Sequence, residues 1–186
     1  MKKIDTILPG VFLIEPDVYG DMRGYFMECW NREKYAALGI GNEFVQDNES
    51  CSRYGVVRGL HYQAAPWSQG KLVRVVSGTV LDVVLDIRRG APTFGRHFAI
   101  ELSGENKRQL YIPRGMAHGF AILSATAIFC YKSDNRYMPD CERGIAFDDP
   151  ALGIDWKLAP ETIILADKDK HHPRLADAEL FDYREC

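Results

Sequence analysis

Short apolar runs, separated by turn residues, make up most of the chain as far as Tyr131. They are rich in β-branched and aromatic residues and lie at residues 11–14, 24–28, 55–61, 71–76, 79–86, 96–102, 109–112, 119–123 and 125–131. Strands of this length and spacing are typical of an antiparallel sandwich or barrel. The order does not alternate strands with long helices, so a parallel α/β sheet is not expected.

Turn residues and one helical segment interrupt this pattern. Ser77-Gly78 predicts a tight hairpin between two strands, and the Ser-Gly-Glu-Asn stretch at residues 103–106 predicts a longer one. One early helix is predicted over residues 31–38, because Asn31 is a favourable N-cap and Gly39 ends the segment.

The pattern of short apolar runs ends after Tyr131. Residues 134–150 hold tyrosine, proline and several acidic residues, and the stretch that follows has only weak helical periodicity. We interpret this part as a cover that packs on the sheet, so residues 1–186 are predicted to form a single domain. A β-barrel roofed by its own tail is a common way to build a concave ligand site.

Composition narrows the functional classes. A chain of 186 residues suits one domain with a full hydrophobic core. Apolar residues at 46% and charged residues at 26% are ordinary values for a globular protein. The net charge of −3 argues against a nucleic-acid-binding surface. No apolar run approaches the roughly 18 residues of a membrane span, so no membrane association is predicted.

Two further features predict a cytoplasmic protein. The N-terminal sequence lacks the apolar core of a secretory signal peptide. The cysteines are odd in number and form no Cys-x-x-Cys pair, so neither a disulfide framework nor a zinc knuckle is predicted. They are Cys29, Cys51, Cys130, Cys141 and Cys186.

A histidine and two cations lie on consecutive predicted strands. His61 has the side chain most easily poised as a base at neutral pH, and an ammonium at Lys71 facing the same pocket would stabilise an oxyanion. Strand alternation places Arg58 on the face opposite His61 unless a bulge at Gly59 turns it. The alternative interpretation is that His61 is a structural residue and Lys71 a solvated strand end.

A second histidine follows a turn in the pattern Pro113-x-Gly115-x-x-His118. This pattern resembles the second half of the cupin signature, in which the histidine often binds metal. A metal cupin also presents His-x-His followed by a glutamate, whereas this chain has only His61 at the matching place. A transition-metal site needs about three or four such ligands. We therefore predict no metal. The chain also lacks a Gly-x-Gly-x-x-Gly fingerprint after its first strand, so no nicotinamide or other cofactor is predicted.

Other polar residues suit a sugar nucleotide and proton transfer. The forked donors of Arg23 suit phosphate oxygens. Tyr131 would return a proton to the far face of a planar enolate, and Tyr137 would stack on a nucleobase. A carboxylate of Asp167 or Asp169 would hydrogen-bond an imidazole and raise its basicity, as the acid does in a catalytic triad.

Taken in order, several segments closely resemble the dTDP-4-dehydrorhamnose 3,5-epimerase family, from about residue 5 to about residue 178. They are Asp21-x-Arg-Gly-x-Phe, Arg58-Gly-Leu-His-Tyr-Gln, Lys71-Leu-Val-x-Val, Thr93-Phe-Gly, Ile112-Pro-x-Gly-x-x-His-Gly-Phe, and Tyr131 with Tyr137. The resemblance implies an all-β fold, a cupin jelly-roll sandwich or barrel with a few short peripheral helices. It also implies a metal-independent homodimer that acts on dTDP-4-dehydro-6-deoxyglucose.

The resemblance assigns roles to particular residues. His61 would be the base that removes the C3 and C5 protons, which the C4 ketone acidifies, and Lys71 would stabilise the enolate oxygen. Asp169 would pair with the base, and Tyr131 would be the acid on the opposite face. The resemblance also implies that Tyr137 stacks on the thymine and that Lys71 contacts the substrate as well as taking part in catalysis. The other substrate contacts that it implies are Arg23, Glu28, Gln46, Asn48, Arg58, His118, Glu142 and Lys168.

The chain departs from the family pattern next to the predicted carboxylate, and several alternative functions remain open. Ala166 and Asp167 replace the usual serine and glutamate of the family, which leaves the choice of paired carboxylate open. An epimerase that inverts only C3 or only C5, or a ketoisomerase, would share the same scaffold and base. A metal-dependent cupin and a non-catalytic sugar-nucleotide-binding protein are the alternatives outside this class.

Overall fold

The computed structural model describes residues 1–183, and its regular structure is almost entirely β. The strands of this part of the chain are β1 (Lys2–Asp5), β2 (Phe12–Glu15), β3 (Val18–Asp21), β4 (Gly24–Met27), β5 (Gln46–Arg53), β6 (Val57–Gln63), β7 (Lys71–Ser77), β8 (Thr79–Asp86), β9 (Arg88–Arg89), β10 (His97–Ser103), β11 (Gln109–Ile112), β12 (Met116–Ile122), β13 (Thr126–Ser133), β14 (Glu142–Gly144) and β15 (Phe181–Asp182). The all-β prediction is confirmed.

Helical structure in the described residues is short. The α-helix α1 spans Arg32–Ala37, and 3-10 turns lie at Pro139–Cys141, Pro160–Thr162, Asp167–His171 and Leu175–Asp177. The predicted N-cap is confirmed, since Asn31 Oδ1 accepts a hydrogen bond from the Lys34 backbone N–H at 3.1 Å. The buried Tyr35 anchors α1 on the outer face of the larger sheet.

Two antiparallel sheets form the body of the molecule. The larger has the strand order β1-β2-β11-β7-β13-β5, and the smaller has the order β10-β8-β12-β6-β14. One core joins them, with members such as Val73 and Phe129 from the larger sheet and Val84 and Phe120 from the smaller. The two sheets therefore pack face to face as a sandwich.

Both predicted hairpins are wrong. Ser77-Gly78 connects β7 of the larger sheet to β8 of the smaller sheet, and the turn at residues 103–106 likewise connects β10 to β11 in the other sheet. Gly78 has a φ of +80°, so the residue type was right for a sharp reversal. A turn sequence predicts that the chain reverses direction, but it does not predict which strand pairs with which. The strands that pair with β7 are β11 and β13, both distant from it in sequence.

The C-terminal part covers the outer face of the smaller sheet, as predicted. Trp156 and Phe181 pack against Leu60 and Tyr62 of β6 in a second apolar cluster. The 3-10 turn at Asp167–His171 follows and contacts β6. This path brings a charged segment of the tail to the open end of the sandwich.

Two further structural facts concern the helices and the thiols. In residues 1–183, no helix has the length and apolar character required to cross a membrane. The thiols of Cys29, Cys51, Cys130 and Cys141 are free, and Cys186 lies outside the described residues.

Candidate active site

A cavity of about 550 Å³ opens between the two sheets. Its walls come from β5, β7 and β13 of the larger sheet and from β6 and β12 of the smaller, and residues 164–169 of the tail close one side. All four predicted catalytic residues line it, namely His61, Lys71, Tyr131 and Asp169. This volume falls within the range of small-molecule sites.

His61 and Asp169 form a hydrogen-bonded pair at the edge of the cavity. His61 projects from β6, and the 3-10 turn of the tail brings Asp169 Oδ1 to 2.7 Å from His61 Nε2. Asp167, the other candidate, is exposed and pairs with Lys170 at 2.8 Å. The geometry therefore makes Asp169 the carboxylate that pairs with the candidate base.

The ionisation of this pair determines which ring nitrogen faces a ligand. Burial acts to raise the pKa of Asp169, but hydrogen bonds from His172 and His61 outweigh it and hold the pKa well below its usual range. An ionised carboxylate only accepts hydrogen bonds, so His61 Nε2 carries the proton and Nδ1 keeps its lone pair. Burial lowers the pKa of His61 below its ordinary value, and Asp169 offsets part of that effect. The free imidazole is thus available as a base at neutral pH.

Lys71 presents a charge without a counter-ion inside the cavity. Burial lowers the pKa of its ammonium to about 8, and Nζ lies 5.9 Å from the centre of the Tyr131 ring. Nζ forms no ion pair among residues 1–183, and Asp82 and Glu142 act on it only by Coulombic attraction at longer range. A buried cation of this kind is a preformed site for negative charge that develops on a ligand.

Tyr131 stands on the opposite wall from His61. It belongs to β13 of the larger sheet, where it is paired with Val73 and Asn48, whereas His61 belongs to the smaller sheet. Burial raises the pKa of the Tyr131 phenol, so the hydroxyl remains protonated at neutral pH. The cavity therefore has a proton acceptor on one wall and a proton donor on the other.

His118 lies deep in the cavity beside a carboxylate that the sequence analysis did not single out. Its Nε2 is 3.1 Å and 3.0 Å from the two carboxylate oxygens of Asp82, which is fully buried on β8. The available signal was Asp82 in the middle of a strand, Thr79–Asp86, that is apolar apart from Asp82, the terminal Asp86 and Thr79, because a buried charge needs a partner. The pair fixes the orientation of the His118 ring.

Four predicted substrate contacts form one network at the cavity mouth. Tyr137 donates its hydroxyl to Glu142 at 3.0 Å, and its backbone N–H donates to Gln46 at 3.0 Å. Lys168 pairs with Glu142 at 2.7 Å. Tyr137 is 47% exposed as a residue, and Glu142 holds its hydroxyl, so the aromatic ring is available at the entrance of the cavity.

Arg58 and Asn48 both line the cavity and offer donors. The strand register shifts opposite Gly59, which has a φ of +126°, and Arg58 and His61 consequently share the cavity, as the bulge alternative predicted. Arg58 donates to Ser52 Oγ at 3.1 Å. Asn48 Nδ2 is buried without a hydrogen-bond partner among the described residues, so it is suited to bind a ligand oxygen.

Two predicted substrate contacts lie outside this cavity. Arg23 sits in the turn between β3 and β4 and pairs with Asp21 at 2.5 Å. Glu28 follows the same hairpin and pairs with Lys34 at 2.9 Å. Neither residue lines the cavity of its own chain.

Three potential metal ligands meet in the described residues. His61 Nε2, Asp169 Oδ1 and His172 Nε2 all lie within 4.8 Å of one another. In a tetrahedral zinc site, metal–ligand distances of about 2.0–2.1 Å place neighbouring ligand atoms about 3.3 Å apart. The 2.7 Å between His61 and Asp169 is instead a hydrogen-bond distance. The separation of His172 Nε2 from Asp169 Oδ1 is 3.3 Å, so it is the short His61–Asp169 contact that favours proton transfer over tetrahedral metal binding at this cluster.

The fold and the cavity together define a class, the cupin-like β-sandwich enzymes that move protons within a buried site. The chain matches the dTDP-4-dehydrorhamnose 3,5-epimerase family over residues 5–177. It is 50% identical to the dTDP-4-dehydrorhamnose 3,5-epimerase of Shigella flexneri, over 97% of this chain and 99% of the relative. The chain belongs to this family, and the predictions of family and fold are confirmed.

Solved structures that resemble this chain come from the same family of epimerases. The dTDP-6-deoxy-D-glucose-3,5-epimerase from Legionella pneumophila Philadelphia 1, in complex with dTDP-4-keto-L-rhamnose, matches with a TM-score of 0.95 and 48% identity over 98% of both chains. A 3'-monoepimerase from Streptomyces bikiniensis, in complex with dTDP-quinovose, matches with a TM-score of 0.89 and 33% identity, over 97% of this chain and 93% of that one. The scaffold thus occurs in both double and single epimerases.

Proposed function

We propose that this protein is a dTDP-4-dehydrorhamnose 3,5-epimerase that converts dTDP-4-dehydro-6-deoxy-D-glucose to dTDP-4-dehydro-L-rhamnose. The observation that supports this most directly is the arrangement of His61 and Tyr131 on opposite walls of one cavity. Inversion at a carbon next to a ketone needs a base on one face and an acid on the other. The cavity offers both.

In the first step, His61 Nδ1 removes the proton from C3 or C5. The electron pair of the broken C–H bond moves toward the C4 carbonyl, whose oxygen becomes negatively charged. The ammonium of Lys71, which is charged below a pKa of about 8, stabilises this enolate oxygen. Asp169 stabilises the imidazolium that forms and keeps its ring in position.

In the second step, the Tyr131 hydroxyl donates its proton to the opposite face of the same carbon. The enolate electron pair forms the new C–H bond, the C4 carbonyl is restored, and the configuration is inverted. Proton exchange with solvent then returns the imidazole and the phenol to their starting forms. Each step transfers a proton and the reaction has no net redox change, so this chemistry requires no nicotinamide; the absence of a cofactor stays a prediction.

The mouth of the cavity is suited to the nucleotide. Tyr137 offers an exposed ring for stacking on thymine, and Arg58 offers forked donors for the diphosphate. Asn48, with its unpartnered buried amide, supplies a further donor. Gln46, Glu142 and Lys168 hold the Tyr137 side of the entrance, and His118 lies deeper, beside the sugar.

We also propose that the protein acts as a homodimer. The β3–β4 hairpin is exposed from Val18 to Phe26 and presents large apolar side chains to solvent, including Tyr19 at 65%, Met22 at 101% and Phe26 at 70% exposed. Apolar surface of this kind marks an interaction site. The same hairpin carries Arg23, and Glu28 follows it, so a second copy that receives the hairpin would gain two polar groups at its cavity.

Subunit complementation tests this arrangement. Arg23→Ala and His61→Ala should each be nearly inactive alone. In mixed dimers, one site would combine an intact His61 with an intact Arg23 from the other copy, so random mixing should restore about a quarter of wild-type activity. If Arg23→Ala is inactive alone and activity is not recovered after subunit exchange, Arg23 acts within its own chain.

Solvent exchange tests the function itself. Incubation with dTDP-4-dehydro-6-deoxy-D-glucose in deuterium oxide should introduce deuterium at both C3 and C5, measured by NMR of the sugar. His61→Ala should abolish exchange at both carbons. Substantial residual exchange in that variant would mean that the base is misassigned, and no label with the wild-type protein would refute the enzyme assignment.

A single-site epimerase is the second candidate. The specific observation in its favour is the close structural match to the Streptomyces bikiniensis 3'-monoepimerase. The same exchange experiment separates the two, because deuterium at only one of the two carbons would establish single-site inversion.

A further inference from the structure

A second imidazole contacts the carboxylate that pairs with the proposed base. His172 Nε2 lies 3.3 Å from Asp169 Oδ1, the same oxygen that His61 Nε2 contacts at 2.7 Å. The Asp169 side chain is 2% exposed, so solvent contributes little to its hydrogen bonding. One carboxylate oxygen is thus shared by two rings that meet edge to face, with centroids 5.5 Å apart.

The backbone on both sides of His172 fixes the position of its ring. His172 caps the 3-10 turn with extended backbone, and the following Pro173 accepts a hydrogen bond from the Ala146 N–H at 2.8 Å. The ring lies over Gly144 of β14, which is paired with His61. A side chain at Gly144 would overlap the ring. The sheet therefore leaves a space that His172 fills.

Because Asp169 is ionised, it acts only as an acceptor, and a bond from His172 must be an Nε2–H donation. Two donors to one oxygen compete for its electron density, so each bond is weaker than it would be alone. We infer that His172 is a positioning residue that shares Asp169 with His61 and limits how strongly Asp169 increases the basicity of His61. This inference rests on the proposed role of His61 as the base.

The consequence is a base that stays unprotonated at neutral pH. If Asp169 accepted a hydrogen bond from His61 alone, it would stabilise the imidazolium form of His61 more strongly. The imidazolium cannot remove a proton from the sugar. The other charged groups that act on the ring come from three elements and are unaffected by a change at His172. They are Lys71 on β7, Glu142 on β14 and Lys168 on the tail.

The pH profile of kcat/KM tests this inference. In His172→Leu, the acidic limb should move to higher pH by about half a unit to one unit, so that activity lost at pH 6 returns at pH 8. His172→Gln keeps an N–H donor near the position of Nε2 and should restore the wild-type limb. His171→Leu, at the exposed neighbouring histidine, is the matched control and should leave the limb unmoved.

Direct titration separates this inference from the proposed function. NMR titration of the His61 ring should show the same upward displacement in His172→Leu, whether or not the protein turns over a substrate. A purely structural role would lower the rate at all pH values without moving either titration. Unchanged titrations in His172→Leu would overturn the inference.

A measurement on the wild-type protein does not depend on the folding of any variant. Long-range proton–nitrogen correlations of the histidine rings should show the Nε2–H form for both His61 and His172 at pH 8. A His172 ring protonated at Nδ1 could not donate to Asp169, and that result would also overturn the inference.

Discussion

Replacing Lys71 with methionine should stabilise the protein while removing its activity. The pKa of the ammonium falls from 10.5 to about 8 because the cavity desolvates it. At about 1.4 kcal/mol per pH unit, a difference of about 2.5 between these values corresponds to about 3 kcal/mol of cost for keeping the charge in the folded state. The side chain is partly accessible to solvent at the cavity, which reduces the expected gain in Lys71→Met to about 2 kcal/mol.

The pH dependence of this gain has a definite sign. Below pH 8 the lysine is charged in both the folded and unfolded states, so the full cost is present and the variant is more stable. As the pH rises from 8 to 10.5, the folded wild-type protein loses the charge first and the cost disappears. The advantage of Lys71→Met should therefore be largest at pH 7 and small near pH 10.

Urea unfolding at one fixed protein concentration measures these differences. Lys132→Met on β13 is the matched control, because Lys132 forms an exposed ion pair with Asp47 that contributes about 0–1 kcal/mol. Turnover of Lys71→Met should fall by at least about 100-fold. A variant less stable than wild type at pH 7, or a gain that persists at pH 10, would refute the reasoning.

Three further predictions follow from the same contacts. Asp169→Asn should lower kcat/KM by about 10²–10³-fold, because the His61 ring loses the charge that stabilises its protonated form; steady-state kinetics measures this. Asp82→Ala should lower the free energy of unfolding by about 3 kcal/mol, because His118 loses its buried partner; chemical denaturation at pH 7 measures this. The pH profile of kcat/KM should be bell-shaped, falling at low pH as His61 is protonated and again above about pH 8 as Lys71 loses its charge.

Apolar periodicity predicted the body of the fold. Thr79–Asp86 and Gln109–Ile112 match their predicted bounds residue for residue, because both are buried strands whose side chains face packed surfaces. The strand Gln46–Arg53 was missed for the opposite reason. It is the edge of the larger sheet, and its sequence is polar apart from a cysteine, so backbone pairing with β13 rather than apolar burial defines it.

The sequence predicted most residues of the candidate site but not their geometry. The motif resemblance identified His61, Lys71, Tyr131 and Asp169, and the structure places all four around one cavity. Their arrangement on two opposite walls depends on crossings between sheets that turn residues do not specify. His172 was missed because its contact with Asp169 is formed by a 3-10 turn, which has no apolar repeat to reveal which side chains it brings together.

The arrangement of base and acid on opposite walls is tested most directly by Tyr131→Phe in deuterium oxide. His61 can still remove and return a proton on its own face in this variant, so the sugar should gain deuterium at C3 and C5 while keeping its original configuration. Inversion at the wild-type rate would contradict the account. So would loss of exchange as complete as in His61→Ala.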